Sequence, residues 1–325
     1  MNLARSSMAF LLLFFIVTLV IFVNPVYADK IIVSLTKSAY ALGATINIYG
    51  TLMSASGSPE TKGLVAIQVV DILGNPVFTR IASTGTNPPP WKVNVTEFLL
   101  CDIMGNPQNS FNRGSLAFFM VTVESLDSVL NRPVVLVINL LDSVGVSIAV
   151  ACTNRTLAPK EKFTFSSGIY IPSDAYCGEA KAYVSVLTGW PKDGGYPYCP
   201  EAQVNFTILG GQIPPAPPSP PQSSPGSFNI SFKLPNSALI GKYSVYTSAR
   251  YGAWSSTSFT YMWLRTDVDT NAKVDILDIS TVAKIYGTTR DSPTYNPVAD
   301  VNEDGVINIL DITKIALDFG KKRYQ

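Results

Sequence analysis

Two stretches near the C terminus repeat one pattern of oxygen-bearing residues at an offset of 33. In the first, Asp267, Asp269, Asn271, Lys273, Asp275 and Asp278 occupy positions 1, 3, 5, 7, 9 and 12. In the second the same positions hold Asp300, Asn302, Asp304, Val306, Asn308 and Asp311. A loop wrapped around a hard cation presents alternate residues inward, and Ca²⁺ takes six to eight oxygens at about 2.3–2.6 Å. Position 7 supplies a backbone carbonyl, so Lys273 and Val306 are free to differ in side chain. A chance acidic loop does not duplicate itself at a fixed spacing. The twelve residues are therefore expected to hold two calcium ions. Gly305 makes the sharp turn at position 6, whereas Ala272 must make it under strain. The first loop has the more carboxylates, so charge and geometry favour different loops.

Each loop runs into an apolar stripe at helical spacing: Ile276, Ile279, Val282, Ala283 and Tyr286, then Ile309, Ile312, Ile315, Ala316 and Phe319. Gly287 and Gly320 follow as stop signals. Asp rather than Glu stands at position 12, and no helical pattern leads into either loop, unlike an ordinary EF-hand. The doubled loop–helix pattern, with Tyr295, Asn296 and Pro297 between the halves, resembles the dockerin type I family over about sixty residues. That resemblance implies docking onto a cohesin domain of another protein through loop positions 10 and 11 and the helix that follows. Here those positions are Ile276 and Leu277, and Ile309 and Leu310, the same pair twice. An apolar pair implies a greasy partner contact or packing inside the module. The near-symmetry implies binding in two orientations.

From Asp29 to about Leu264 the pattern changes to period two, broken by Gly, Asn and Pro, as in antiparallel sandwiches. The opening over 40–48 is echoed at 157–165, about one sandwich-length later, with Lys160 in place of the turn residue Gly43. These openings resemble Ig-like, macroglobulin-type modules of bacterial and archaeal surface proteins. The expected fold is mainly β: two tandem antiparallel Ig-like β-sandwiches plus a small α-helical calcium-binding domain. The expected boundaries are sandwich 1 at 29–145, sandwich 2 at 146–264 and the dockerin-like domain at 265–325. The Pro-rich stretch 211–226 reads as a loop inside sandwich 2, because the three strands after it cannot bury a core alone.

Arg5, the apolar run from Met8 to Val23, the breaker Asn24–Pro25 and the small residues before Asp29 read as a secretory signal over 1–28. An uncleaved N-terminal anchor is the competing reading. No second apolar run is long enough to span a membrane, so a secreted or cell-surface protein is expected. Sequons at Asn94, Asn154, Asn205 and Asn229 agree with export. Four cysteines also agree, with Cys177–Cys199 the favoured bridge; Cys101–Cys152, a zinc site and four free thiols are the alternatives.

Composition narrows the chemistry. The chain has no histidine, which excludes every imidazole-dependent nucleophile, zinc site and proton relay. A net charge of +1 with 14% charged residues gives no basic field for nucleic acid. Glycosidases need two carboxylates across a cleft, and the acids Glu97, Asp102, Glu124, Asp127, Glu161, Asp174 and Glu201 form no such motif. No catalytic or organic-cofactor residues are therefore expected. The function read from this sequence is a non-catalytic, calcium-binding adaptor docking on a cohesin-type partner, with the sandwiches as spacer or ligand-binding arm. The rivals are a polysaccharide-binding or -degrading component of a cellulosome-like assembly and a structural surface-layer protein. For sugar binding, Trp190 to Tyr198 is the expected exposed patch.

Overall fold

The computed structural model describes residues 30–86, 90–214 and 224–323. The signal reading over 1–28 and most of the Pro-rich stretch lie outside them. None of the described helices is long and apolar enough to cross a membrane.

The chain begins with β1 (Lys30–Leu35), β2 (Ala39–Ala41), β3 (Ile46–Met53), β4 (Leu64–Val70) and β5 (Pro76–Ser83). Next come β6 (Val93–Cys101), β7 (Ser110–Asn112), β8 (Leu116–Ser125), β9 (Arg132–Leu141) and β10 (Ser147–Leu157). They are followed by β11 (Lys162–Tyr170), β12 (Gly178–Leu187) and β13 (Ala202–Leu209). The last strands are β14 (Ser227–Phe232), β15 (Gly241–Ser248) and β16 (Trp254–Met262). Two helices close the chain, α1 (Ile276–Ala283) and α2 (Ile309–Asp318).

The strands make two sandwiches, each a three-stranded sheet on a five-stranded one. One pairs β1-β3-β14 with β2-β16-β15-β4-β5, the other β6-β8-β11 with β7-β13-β12-β9-β10. The two have the same topology strand for strand, down to a three-residue edge strand that pairs in parallel (β2 on β16, β7 on β13). They are not tandem. The whole second sandwich is inserted between β5 and β14 of the first, which corrects the boundaries at 145 and 146. The Pro-rich stretch is the return crossing between sandwiches, not a loop within one. Three strands cannot make a core alone, and β14–β16 answer that by closing a core begun in β1–β5: Phe232 stacks on Phe78, and Phe259 meets Tyr40 edge-on. The echo of 40–48 at 157–165 survives only locally. Gly43 and Lys160 both take left-handed backbone in the same tight turn, but the topological counterpart of β3 is β8.

The two sandwiches are fused through edge strands β5 and β10. Buried Asn139 accepts from the Thr79 amide at 3.1 Å and donates to Ser147 Oγ at 2.9 Å; Ser147 Oγ donates to the Val77 carbonyl at 2.7 Å. Ala66, Ile81, Val135, Val137 and Leu187 form an apolar patch across the joint. Arg80 is held between Glu201, at 2.9 Å to Oε1, and the ring of Tyr183. Trp190 packs into this joint, and Pro191 accepts from the Trp254 indole at 2.9 Å. The 190–198 loop is therefore wedged between sandwiches, which corrects its reading as an exposed aromatic patch.

All four thiols are free. Cys177 precedes the first residue of β12, whereas Cys199 lies alongside its far half, between Tyr198, whose amide bonds the Val186 carbonyl, and Ala202, which pairs with Val184. About seven strand residues at about 3.3 Å each separate the two positions, far beyond the roughly 4.4–6.8 Å Cα separation of a disulfide. The expected Cys177–Cys199 bridge is corrected on that ground. Burial pushes the Cys199 thiol up to about 12, the behaviour of an inert core group.

Candidate metal centre

The twin loops follow β16 without a spacer: Trp263 and Leu264 already pack on the module's core. That core is itself a repeat at the 33-residue offset, Val268, Val274 and Val282 matching Val301, Ile307 and Ile315, all buried. Alternation inside the loop explains the arrangement. Positions 2 and 8 turn an apolar side chain into the module, while the odd positions carry oxygens to the other side.

The loops share most of one hydrogen-bond frame. At position 1, Asp267 accepts from the Asn271 and Ala272 amides at 3.1 and 3.0 Å; Asp300 accepts from those of Asp304 and Gly305 at 3.1 and 2.8 Å. At position 12, Asp278 accepts from the Val268, Asp269 and Asp275 amides at 2.7, 3.1 and 2.8 Å. Asp311 likewise accepts from those of Asn302 and Asn308 at 3.1 and 2.9 Å. Position 9 is also the helix N-cap: Asp275 and Asn308 accept from the Leu277 and Leu310 amides at 2.8 and 2.7 Å. With position 12 reaching back, each loop ends in a capping box. The ligand pattern and the helix start are thus one motif. Backbone turns also repeat, with Thr270 and Ala272 at φ 61 and 67 matching Glu303 and Gly305 at 65 and 90. The strain expected at Ala272 is real.

Carboxylate oxygens of Asp267, Asp269 and Asp278 lie within 4.8 Å of one another. Burial raises the Asp267 carboxyl to about 6, the charges of Asp278 and Asp269 adding and the Ala272 and Asn271 amides opposing. Burial likewise raises Asp269. A cation would relieve the repulsion among anions gathered this closely, and an all-oxygen set suits a hard one. The residues present therefore fit Ca²⁺. In the second loop Asp300 and Asp311 are equally buried, and Asn302 donates to Asp304 at 2.7 Å.

Each loop is closed by the other repeat. The Gly287 amide donates to the Ile307 carbonyl and the Gly320 amide to that of Val274, both at 2.8 Å. Arg290 bonds through its amide to Gly305, and Arg323 to Ala272, at 3.1 and 2.9 Å. This exchange was missed from the sequence, although Gly and Arg recur three residues apart at 287–290 and 320–323. Also missed were the groups that break the symmetry. Tyr295 Oη donates to Asp300 at 2.5 Å. Arg265, whose repeat counterpart is Val298, donates to the carbonyls of Val298, Pro297 and Asp300 at 3.1, 2.8 and 2.7 Å. Lys37 of the first sandwich pairs with Glu303 at 2.7 Å. Partial burial opposes ionisation of Glu303, but the Lys37 hydrogen bond and the charges of Lys37 and Arg265 hold its carboxyl below the ordinary value.

The apolar helix stripes divide. Val282 and Ile315 are buried, while Ile276 and Leu277 are 62% and 52% exposed and Ile309 and Leu310 57% and 55%. Packing inside the module, the second expectation for the Ile-Leu pairs, does not occur.

Residues 265–316 match the family model described as the dockerin type I domain. No curated protein matches the chain. Among solved structures, an alkylpurine DNA glycosylase of Pseudomonas fluorescens bound to DNA with an abasic site analog is 13% identical at TM-score 0.28, covering 38% of this chain and 32% of that one. A β-glucosidase from Listeria innocua is 12% identical at TM-score 0.26, covering 40% of this chain and 17% of that one. The native conformation of E. coli alpha-2-macroglobulin is 10% identical at TM-score 0.20, covering 74% of this chain and 22% of that one. This chain thus spans a third or less of each, and none of these likenesses carries an argument about its role. The doubled loop–helix unit, its matching hydrogen bonds and the family match agree: the C-terminal part of this mainly-β chain is a dockerin type I module.

Proposed function

We propose that the protein is an exported, non-catalytic adaptor that binds two calcium ions and docks through its C-terminal module onto a cohesin-bearing partner in a cellulosome-like assembly. The observation that carries this reading is the exposure of both Ile-Leu pairs at matching places on α1 and α2, each in a repeat with two buried aspartates, Asp267 and Asp278 in one and Asp300 and Asp311 in the other. Calcium would organise the loops, and the loops start the helices that present the apolar pairs. With metal bound, Asp267, Asp269, Asn271, Asp275 and Asp278, with the Lys273 carbonyl, hold the first ion; Asp300, Asn302, Asp304, Asn308 and Asp311, with the Val306 carbonyl, hold the second.

The sandwiches serve as a stiff arm. Their acids support a structural rather than catalytic role: Glu201 is engaged by Arg80, Asp127 by Arg132 and Glu161 by Arg155, and Asp102 closes a turn. Export is supported by exposed sequons at Asn154 and Asn205, whereas Asn94 and Asn229 are part-buried.

The test is calorimetry of the full chain with a purified type I cohesin domain, in calcium and after chelation. Calcium-dependent binding is expected, retained when either Ile276 and Leu277 or Ile309 and Leu310 are replaced by Asp, and lost when all four are. Loss on replacing the first pair alone would sink two-orientation docking, and calcium-independent binding or none would sink the docking reading.

A further inference from the structure

A cleft of about 280 Å³ opens where the two sandwiches meet, on a different part of the molecule from the calcium module. Trp91, from the crossing into the second sandwich, and Tyr251, from the β15–β16 turn, line it together with Pro197. Glu60, Lys62 and Arg250 bring charge to it. Clefts between domains, walled by aromatic rings with a few polar groups, are the usual form of a small-ligand site.

Two observations point to a ligand. Tyr251 sits at φ 62 and ψ 25 in the turn between β15 and β16, directly before Gly252 at φ 76. Two successive left-handed residues suit Asn-Gly, and a bulky side chain there is strained. The ring is 68% exposed, so it stabilises no core in return. A strained aromatic that adds nothing to packing marks a candidate binding group. Secondly, the side chains of Lys62 and Arg250 have no ion-pair or hydrogen-bond partner among the described residues. Glu60, by contrast, is positioned by the Lys62 amide at 2.8 Å. The rim thus offers two free cations, one fixed carboxylate acceptor and aromatic ring faces.

We propose that this cleft binds an acidic sugar unit, a pyranose bearing a carboxylate, within a glycan chain. The apolar face of such a ring stacks on an aromatic side chain. Its carboxylate pairs with Arg250 or Lys62, and a hydroxyl donates to Glu60. A neutral sugar would leave both cations unmatched, and a simple anion would leave the rings and Glu60 without a role. The site is independent of the docking reading, since none of its residues lies in the dockerin module.

Affinity electrophoresis of the full chain in gels containing polygalacturonate, with hydroxyethylcellulose as the neutral control, tests this. Retardation is expected in polygalacturonate only. Lys62→Ala should reduce it at least tenfold and Tyr251→Asn should abolish it. Tyr251→Asn should also raise the melting temperature, because the strained turn is relieved, so loss of retardation there is not loss of fold. No retardation, equal retardation in the neutral glycan, or retardation unchanged by Tyr251→Asn would each overturn the proposal. Cohesin binding should be the same in all three proteins, so failure here leaves the docking reading untouched.

Discussion

The two calcium loops share a hydrogen-bond frame and differ in their surroundings. Loop 1 has three clustered aspartates around a turn made by Ala272 at φ 67, with few groups outside the loop bracing it. Loop 2 turns on Gly305, its first ligand is bonded by Tyr295, and its fourth position is tied to the arm through Lys37. Duplication produced two equivalent frames, and the rest of the chain then made them unequal. On the proposed calcium reading, the difference sets ligand charge in one loop against preorganisation in the other.

The largest effect should come from breaking the frame itself. Asp278→Ala removes three hydrogen bonds to a carboxylate, each worth about 1.5–3 kcal/mol, so loop 1 should lose at least about 4 kcal/mol. Calorimetry should then register one calcium ion fewer, with loop 2 still filling. Next, Tyr295→Phe should weaken loop 2 alone by about 1.5 kcal/mol, near tenfold in affinity. An equal change in both loops would show that the module titrates as one unit. Ala272→Gly works in the opposite direction. It relieves a left-handed alanine worth about 1 kcal/mol and should tighten loop 1 roughly fivefold, visible as a shift of one binding step with the other unmoved. Smallest of all, Lys37→Ala removes a half-exposed ion pair and should cost loop 2 about 0.5 kcal/mol, shrinking further in high salt.

The gathering of carboxylates in the first loop could be read in advance because it is local. Asp267, Asp269 and Asp278 come together as their loop positions predict, and the strain at Ala272 followed from one missing glycine. Apolar spacing was a weaker guide. It grouped Ile276 with Val282, yet only tertiary packing buried one and exposed the other. The cross-closure of each loop by the other repeat, and the roles of Arg265 and Lys37, depend on partners tens to hundreds of residues away, whereas Tyr295 bonds Asp300 only five residues on. Only the recurring Gly and Arg at 287–290 and 320–323 hint at the cross-closure in one dimension.

The sandwiches show the same limit on a larger scale. Period-two alternation identified the strand-rich region correctly, but a strand's ladder of amides and carbonyls pairs with any other strand that presents itself. Alternation therefore could not say that β14 would return to β3 across the whole second sandwich, or that Cys177 and Cys199 would sit far apart along β12. The frame of the two loops was legible in the sequence because its oxygen-bearing residues are packed into two runs of twelve whose geometry the turn and cap residues dictate. The nesting of the sandwiches, the packing of Trp190 into their joint and the cleft beside Tyr251 were decided only by the folded chain, because closing a core is a choice among distant partners that local residue patterns do not make.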